Sequence, residues 1–486
     1  MTNEASLAPV ALSYVAALRG LTPRPRGKAF AYALAHVRAP ELLIGLAASN
    51  PEGSFYGLVP DPAVLNQAML QSAERGVGNV TFLSDRAALP KLDYLACDES
   101  QNGLTHVDRA ALFDLAAAQL KAGGLFAYTY RAYTDPTDAL RFLVREFAPE
   151  MNAEQAVDFL LEIKKLGHLY FPTHADLAAK LDQAIAKNLP DDFFALFDEG
   201  DARSASFDTM VAMRTRGLSF AGAGHIASNY IELSIPPEAQ GIVIECRDNP
   251  LYEPLKDFSS LRSVRTDIWS KQPAEQSSDP AILFGGFVYG ITAPENKVPE
   301  QVDVFGKTVD LSSPLYRTLI ALMATQPVGI GDILQSEEGK NLKAAEIVSA
   351  VHILIALGIA RPMRGAEDAG AIGNLAQPRF SGSFNRYIST QEVAGQSCPM
   401  ASRVLGDVIS VSPRDALVMQ ALNRAGLANS VSALLPELER LAKDPAASAR
   451  ITDVAEPTAE SAHQMINDAV SQSMVQWYAY GLLEAA

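Results

Sequence analysis

Between residues 28 and about 147 the sequence alternates short apolar runs with longer amphipathic ones. "KAFAYAL" (28–34), "SFYGLV" (54–59), "NVTFL" (79–83), "LDYLAC" (92–97) and "LFAYTY" (125–130) have the length and composition of buried strands. "APELLIGLAAS" (39–49), "PAVLNQAMLQSAERG" (62–76) and "VDRAALFDLAAAQLKAGG" (107–124) repeat apolar residues at helical spacing, and the glycines at 123–124 read as the stop of the third helix. Strands alternating with helices pair in parallel through right-handed crossovers. The expected fold class is therefore α/β, a Rossmann-like doubly wound sheet with helices on both faces.

Beyond residue 148 the pattern changes. "AEQAVDFLLEIKKLG" and "HADLAAKLDQAIAKN" predict amphipathic helices of an insertion. "GLSFAGAG" (217–224) and "QGIVIECRD" (240–248) predict returning strands, and "SNYIELSI" between them reads as extended. The polar, turn-rich "WSKQPAEQSSDPAIL" (269–283) reads as a linker. "PLYRTLIALMAT", "GIGDILQ" and "LKAAEIVSAVHILIALGIARPM" then give three helical segments and a strand, the order of a winged-helix-like domain, and a helical tail comes after residue 377. The expected divisions are 1–147, 148–268, 284–376 and 377–486.

Composition narrows the partners. A formal charge of -16 provides no basic field for nucleic acid or an anionic bilayer, so the expected partner is a protein. No run approaches the ~20 apolar residues of a membrane helix. The apolar start follows Glu4 with no basic stretch ahead of it. No membrane insertion and a cytoplasmic location are expected. Cys97, Cys246 and Cys398 are too few and too scattered for a disulfide framework or a metal cluster.

Motifs of hydrolytic, metal and P-loop chemistry are missing from the sequence. "GAGHIA" (222–227) fits the loose dinucleotide pattern, with Glu245 downstream, but the extended reading of "SNYIELSI" makes it a turn between strands.

The order of segments in the first 136 residues is that of a class I S-adenosylmethionine-dependent methyltransferase. "LIGLAASNPEGSFYGLVPDPAVLNQA", "LDYLACDESQNGLTHVDRAALFDLAAAQLKAGGLFAYTYRAYTDP", "NLPDDFFALFDEGDARSASFDTMVAMRTRGLSFAGAG", "LRSVRTDIW" and "SCPMASRVL" resemble, in that order, the methyltransferases that carry a methyltransferase regulatory domain. That group contains the rickettsial-type outer-membrane-protein lysine methyltransferases. The resemblance implies S-adenosylmethionine as cofactor and methyl transfer to a protein side chain, lysine in that family.

The chain departs from the family where the cofactor binds. The glycine-rich loop falls on "LAHVRAP", with Leu34 in the acidic position, His36, Val37 and Arg38 over the Gly-Cys-Gly run, and Pro40 at the last glycine. Val59 replaces the ribose-binding acid, with Asp61 two residues on as its substitute. By the resemblance, the cofactor-binding set is His36, Arg38, Asp61, Asp85 and Asp98. Glu99, Tyr130 and Tyr133 form the substrate-binding set, and no catalytic residue is assigned. Tyr128 is a further aromatic at the same edge. The departures also fit a non-catalytic relative that keeps the architecture as a protein-binding or regulatory partner. A winged-helix regulator would need a basic recognition helix, and "AAEIVSAVHILIALG" has no basic residue besides its histidine.

Overall fold

β1 (Phe30–Ala35), β2 (Gly53–Leu58), β3 (Val80–Leu83), β4 (Leu92–Asp98), β5 (Leu120–Arg131), β6 (Leu218–Ala223) and β7 (Val264–Lys271) form a seven-stranded sheet in the order β3-β2-β1-β4-β5-β7-β6. They belong to a computed structural model that describes residues 5–99, 104–132, 153–166, 170–187, 205–260, 264–291, 298–365, 378–390, 398–426 and 474–485, with isolated positions between. β1 pairs in parallel with β2, and β2 with β3. β7 runs antiparallel to both β5 and β6. Tyr32, Ala33, Leu92 and Leu95 are buried. Consecutive buried positions are what strands covered on both faces require, which is why these runs are continuously apolar.

The first four helices start where proline or a capping oxygen fixes the first turn. α1 (Pro9–Leu18), α2 (Pro40–Ser49) and α3 (Pro62–Glu74) each open on proline, whose missing N–H costs nothing there. α4 (His106–Gln119) is capped by Thr105, whose side chain accepts the Asp108 N–H.

The chain divides into two compact units, one centred on Cys97–Ala274, the other made of Ser6–Ala96, Glu275–Val302 and Asp310–Ala486. In the first, α5 (Ala153–Leu166), α6 (Ala175–Lys187), α7 (Pro237–Glu245) and α8 (Tyr252–Ser259) surround a core that includes Leu160, Leu181, Ile235, Val243 and Phe258. In the second, the hairpin Cys398–Ser402/Asp407–Val411 packs on α2. A Cβ on Gly45 of α2 would lie 2.5 Å from the Val408 side chain. Ser49 Oγ and Asn50 Nδ2 donate to the carbonyls of Asp407 and Gly406, both at 2.9 Å. Val288–Ile291 pairs antiparallel with Val328–Gly329 and with Ala360–Met363, accompanied by helices Pro314–Thr325, Ile330–Gln335 and Ala344–Ala356.

Four local expectations are corrected. Gly123 and Gly124 lie inside β5; Leu120, buried and extended, ends α4, and Gly123 bends the strand at φ 73°. Residues 240–248 are largely helical, because Pro237 sets the first turn of α7 and Ala239 and Val243 bury one turn apart. A short apolar run does not by itself separate helix from strand. "SNYIELSI" forms the end of a 3-10 turn and one helical turn, Ile231–Ser234, instead of extended chain. The linker reading holds only for 272–279, since Trp269–Lys271 complete β7 and Pro280–Phe284 is a helix capped by Asp279. Most of the tail helix expected at "SVSALLPELERLAKD" and of the last one falls outside the described residues.

Candidate functional site

The carboxyl ends of β1, β2 and β3 carry four of the candidate residues. β1 stops at Ala35, and His36 takes φ 55°. Left-handed backbone costs an L-residue roughly 1 kcal/mol or more and is normally left to glycine. At His36 the chain thus makes a glycine-type bend without glycine. Val37 N–H returns to the Leu58 carbonyl at 2.9 Å, and Pro40 begins α2. Val37 is buried, His36 half-buried and Arg38 exposed.

Just past β2, Val59 is 1% exposed and its N–H bonds the Leu83 carbonyl at 2.8 Å, so this position is part of the core. Asp61 and Asp85 are both exposed. Each spends Oδ1 on a cap at 2.8 Å: Asp61 on the Ala63 N–H opening α3, Asp85 on the Ala87 N–H opening a 3-10 turn. The structure therefore brings His36, Arg38, Asp61 and Asp85 to the same edge of three adjacent strands.

In the other unit, Asp98 is exposed at the last position of β4. Glu99 beside it is 5% exposed and fully engaged. Its Oε2 accepts the Leu104 N–H at 3.0 Å; its Oε1 accepts from the Tyr128 hydroxyl and lies 3.1 Å from Arg109 Nη2. Arg109 Nε donates to Tyr128 Oη at 3.0 Å. Burial first, then the Glu99 charge, pushes the Tyr128 phenol up and keeps it protonated. Glu99 is thus a clasp that ties residue 99 to residue 104. Tyr130, 1% exposed, donates its hydroxyl to Asp267 at 2.6 Å. Tyr133 lies outside the described residues.

Behind Tyr130 is a buried charge cluster. Arg265 donates through Nε to Asp267 at 2.8 Å, through Nη1 to Asp257 at 2.6 Å and through Nη2 to Glu253 at 3.0 Å. Lys256 lies 3.1 Å from Glu253. Burial would raise the Glu253 carboxyl, but Lys256 and Arg265 outweigh it and hold it at about 2. For Asp257 and Asp267 burial prevails over Arg265, and both are pushed up. α8 is consequently buried on two sides: Leu255 and Phe258 enter the apolar core while Glu253, Lys256 and Asp257 enter the cluster. The sequence reading missed these residues. Their signal was polar alternation in "VRTDIW", which puts Arg265 and Asp267 on one strand face, and the acid-base-acid spacing of "EPLKD".

The turn after β6 holds no helix of dinucleotide type. Asn229 closes it, accepting the Ala223 N–H and donating to the Ala223 carbonyl. A cavity of about 270 Å³ lined by Ala47, Gly76, Gly78, Ser383 and Arg403 among others sits by the start of β3, away from its carboxyl end. Among the described residues no group of His, Cys, Asp and Glu could hold a metal, and no helix is long and apolar enough to cross a membrane.

With this geometry in place, the chain was compared with known proteins. Residues 175–271 match the family described as "Predicted methyltransferase regulatory domain". No curated protein matches. The fold is similar to that of PKMT2 from Rickettsia typhi. Its complex with AdoHcy superposes with a TM-score of 0.62 at 15% identity, covering 98% of each chain. A second structure of the same protein gives 0.62 at 17% identity, again over 98% of both. The Rossmann-like methyltransferase fold and the regulatory segment expected from the sequence are both found.

Proposed function

We propose that the protein binds S-adenosylmethionine at the carboxyl ends of β1–β3 and transfers its methyl group to a protein side chain, lysine being the residue implied by the sequence resemblance. The observation that carries this reading is the left-handed bend at His36. It costs energy, and strained backbone of this kind is kept where a ligand approaches. The donor set suits the ligand. Exposed carboxylates at Asp61 and Asp85 supply acceptors for ribose hydroxyls and an adenine amino group, with His36 and Arg38 at the methionine end. The sequence pattern adds Asp98, exposed at the last position of β4, to the cofactor-binding set. The cofactor supplies an electrophilic methyl group on sulfur. The chain's residues have to align the amine behind it.

A second reading is favoured by one specific observation: Leu34 and Val59, at the two acidic positions of the family, are 6% and 1% exposed core residues. In that reading the fold is kept as a protein-binding partner. Division of the chain at 147, 268 and 376, with a winged-helix-like third part, is proposed on the sequence pattern. Thermal-shift titration of the whole chain with S-adenosylhomocysteine, with adenosine as comparison, separates the readings. A concentration-dependent rise in melting temperature supports the first, and no rise at millimolar ligand leaves the second.

A further inference from the structure

The 175–271 segment ends in β7, and β7 delivers Arg265 and Asp267 to the face of β5 that carries Phe126, Tyr128 and Tyr130. On that face a continuous set of directional contacts leads from α8 to the carboxyl end of β4. Glu253 and Asp257 of α8 hold Arg265; Arg265 holds Asp267; Asp267 accepts from Tyr130 at 2.6 Å. The Tyr130 ring stacks on Tyr128, with centroids 4.8 Å apart and planes at 19°. Tyr128 donates to Glu99, and Glu99 fixes the Leu104 N–H at 3.0 Å. Phe113 of α4 closes the other side of Tyr128 edge-on at 5.2 Å. Each phenol bonds one carboxylate, so neither ring can slide without breaking a buried hydrogen bond.

We infer that Arg265 is a positioning residue: through Asp267, Tyr130 and Tyr128 it sets the pose of Glu99 and hence of the backbone next to Asp98. The segment matched as regulatory is in this way wired to the end of β4. The reason lies in cost. A guanidinium and three carboxylates taken out of water are weak contributors to stability, and apolar replacements often pack as well. What the ionic set adds is direction, since a planar fork bonded to three carboxylates admits one arrangement of Asp267 and therefore of Tyr130. Its role in methyl transfer rests on the function proposed above, whereas the contact relay does not.

The test is amide-resolved hydrogen exchange on the whole chain without ligand, so that it is decided independently of the S-adenosyl reading. Tyr130→Phe keeps the stacked ring and removes only the bond to Asp267. It is expected to speed exchange at Leu104 about fivefold while leaving Val37, bonded to Leu58 in the other unit, unchanged. Asp267→Asn should act in the same direction. In a Glu99→Ala background, adding Tyr130→Phe should produce no further change at Leu104. Unchanged Leu104 exchange in both folded single variants, or an equal acceleration with and without Glu99, would overturn the inference.

Discussion

The Asp61 carboxylate accepts the Ala63 N–H at 2.8 Å, so the residue proposed to hold the cofactor's ribose also starts α3. The two roles separate by substitution. Asp61→Ala should lose about 1 kcal/mol in urea unfolding, the usual worth of an N-cap. Asparagine caps as well as aspartate, so Asp61→Asn should unfold like the native protein yet bind S-adenosylhomocysteine roughly tenfold more weakly for want of the charge. Undiminished affinity in Asp61→Asn would remove this residue from the site.

His36 gives a prediction of opposite sign. Because its φ is 55°, His36→Gly should stabilise the protein by about 1 kcal/mol, the left-handed cost less the extra freedom of glycine in the unfolded chain. His36→Val should destabilise it by about as much or more, since a β-branched residue tolerates this region least. Equal melting temperatures for the two variants would show that the bend is unstrained.

Removing the guanidinium from the buried cluster leaves Asp257 and Asp267 without their shared partner and facing the Glu253 charge. Arg265→Ala is expected to cost roughly 3–5 kcal/mol in denaturant unfolding. A loss below about 1 kcal/mol would mean that the cluster is open to water.

Stability should fall in mild acid because of His352. Its ring packs edge-on against Phe284 and Tyr14, with centroids at 4.5 and 5.7 Å, and burial lowers its pKa from 6.5 to about 4. The folded form is the neutral one. As pH drops from 6.5 to 4 the unfolded chain takes up a proton that the folded chain refuses, and stability declines by on the order of 3 kcal/mol. His225 is lowered in the same direction, by burial and then Arg262. His352→Gln should flatten most of the slope in a chemical-denaturation series over that range, and an unchanged slope would assign it elsewhere.

Much of the sheet was legible because β1 and β4 are covered on both faces, which writes a nearly uninterrupted apolar run, and α1, α2 and α3 each open on proline. "GIVIE" in α7 misled because Ile242, Val243 and Ile244 are good strand residues, and only Pro237 upstream decides for a helix. The positions of Asp61 and Asp85 past strand ends were legible, but their capping bonds depend on a turn geometry that residue type alone does not fix. Glu99 and Tyr130 are placed on the substrate side by the family resemblance, which carries no information on burial. Their burial comes from Arg109 and Asp267, which are 10 and 137 positions away.

The central claim is that the β1–β3 edge is an S-adenosyl site despite its lost glycines. Calorimetric titration of the purified whole chain with S-adenosylhomocysteine tests it most directly. The account expects one site with a Kd of roughly 10–100 μM, about 5.5–7 kcal/mol, weakened in Asp61→Asn and Asp85→Asn. No heat at millimolar ligand, or binding that both variants leave untouched, would contradict it.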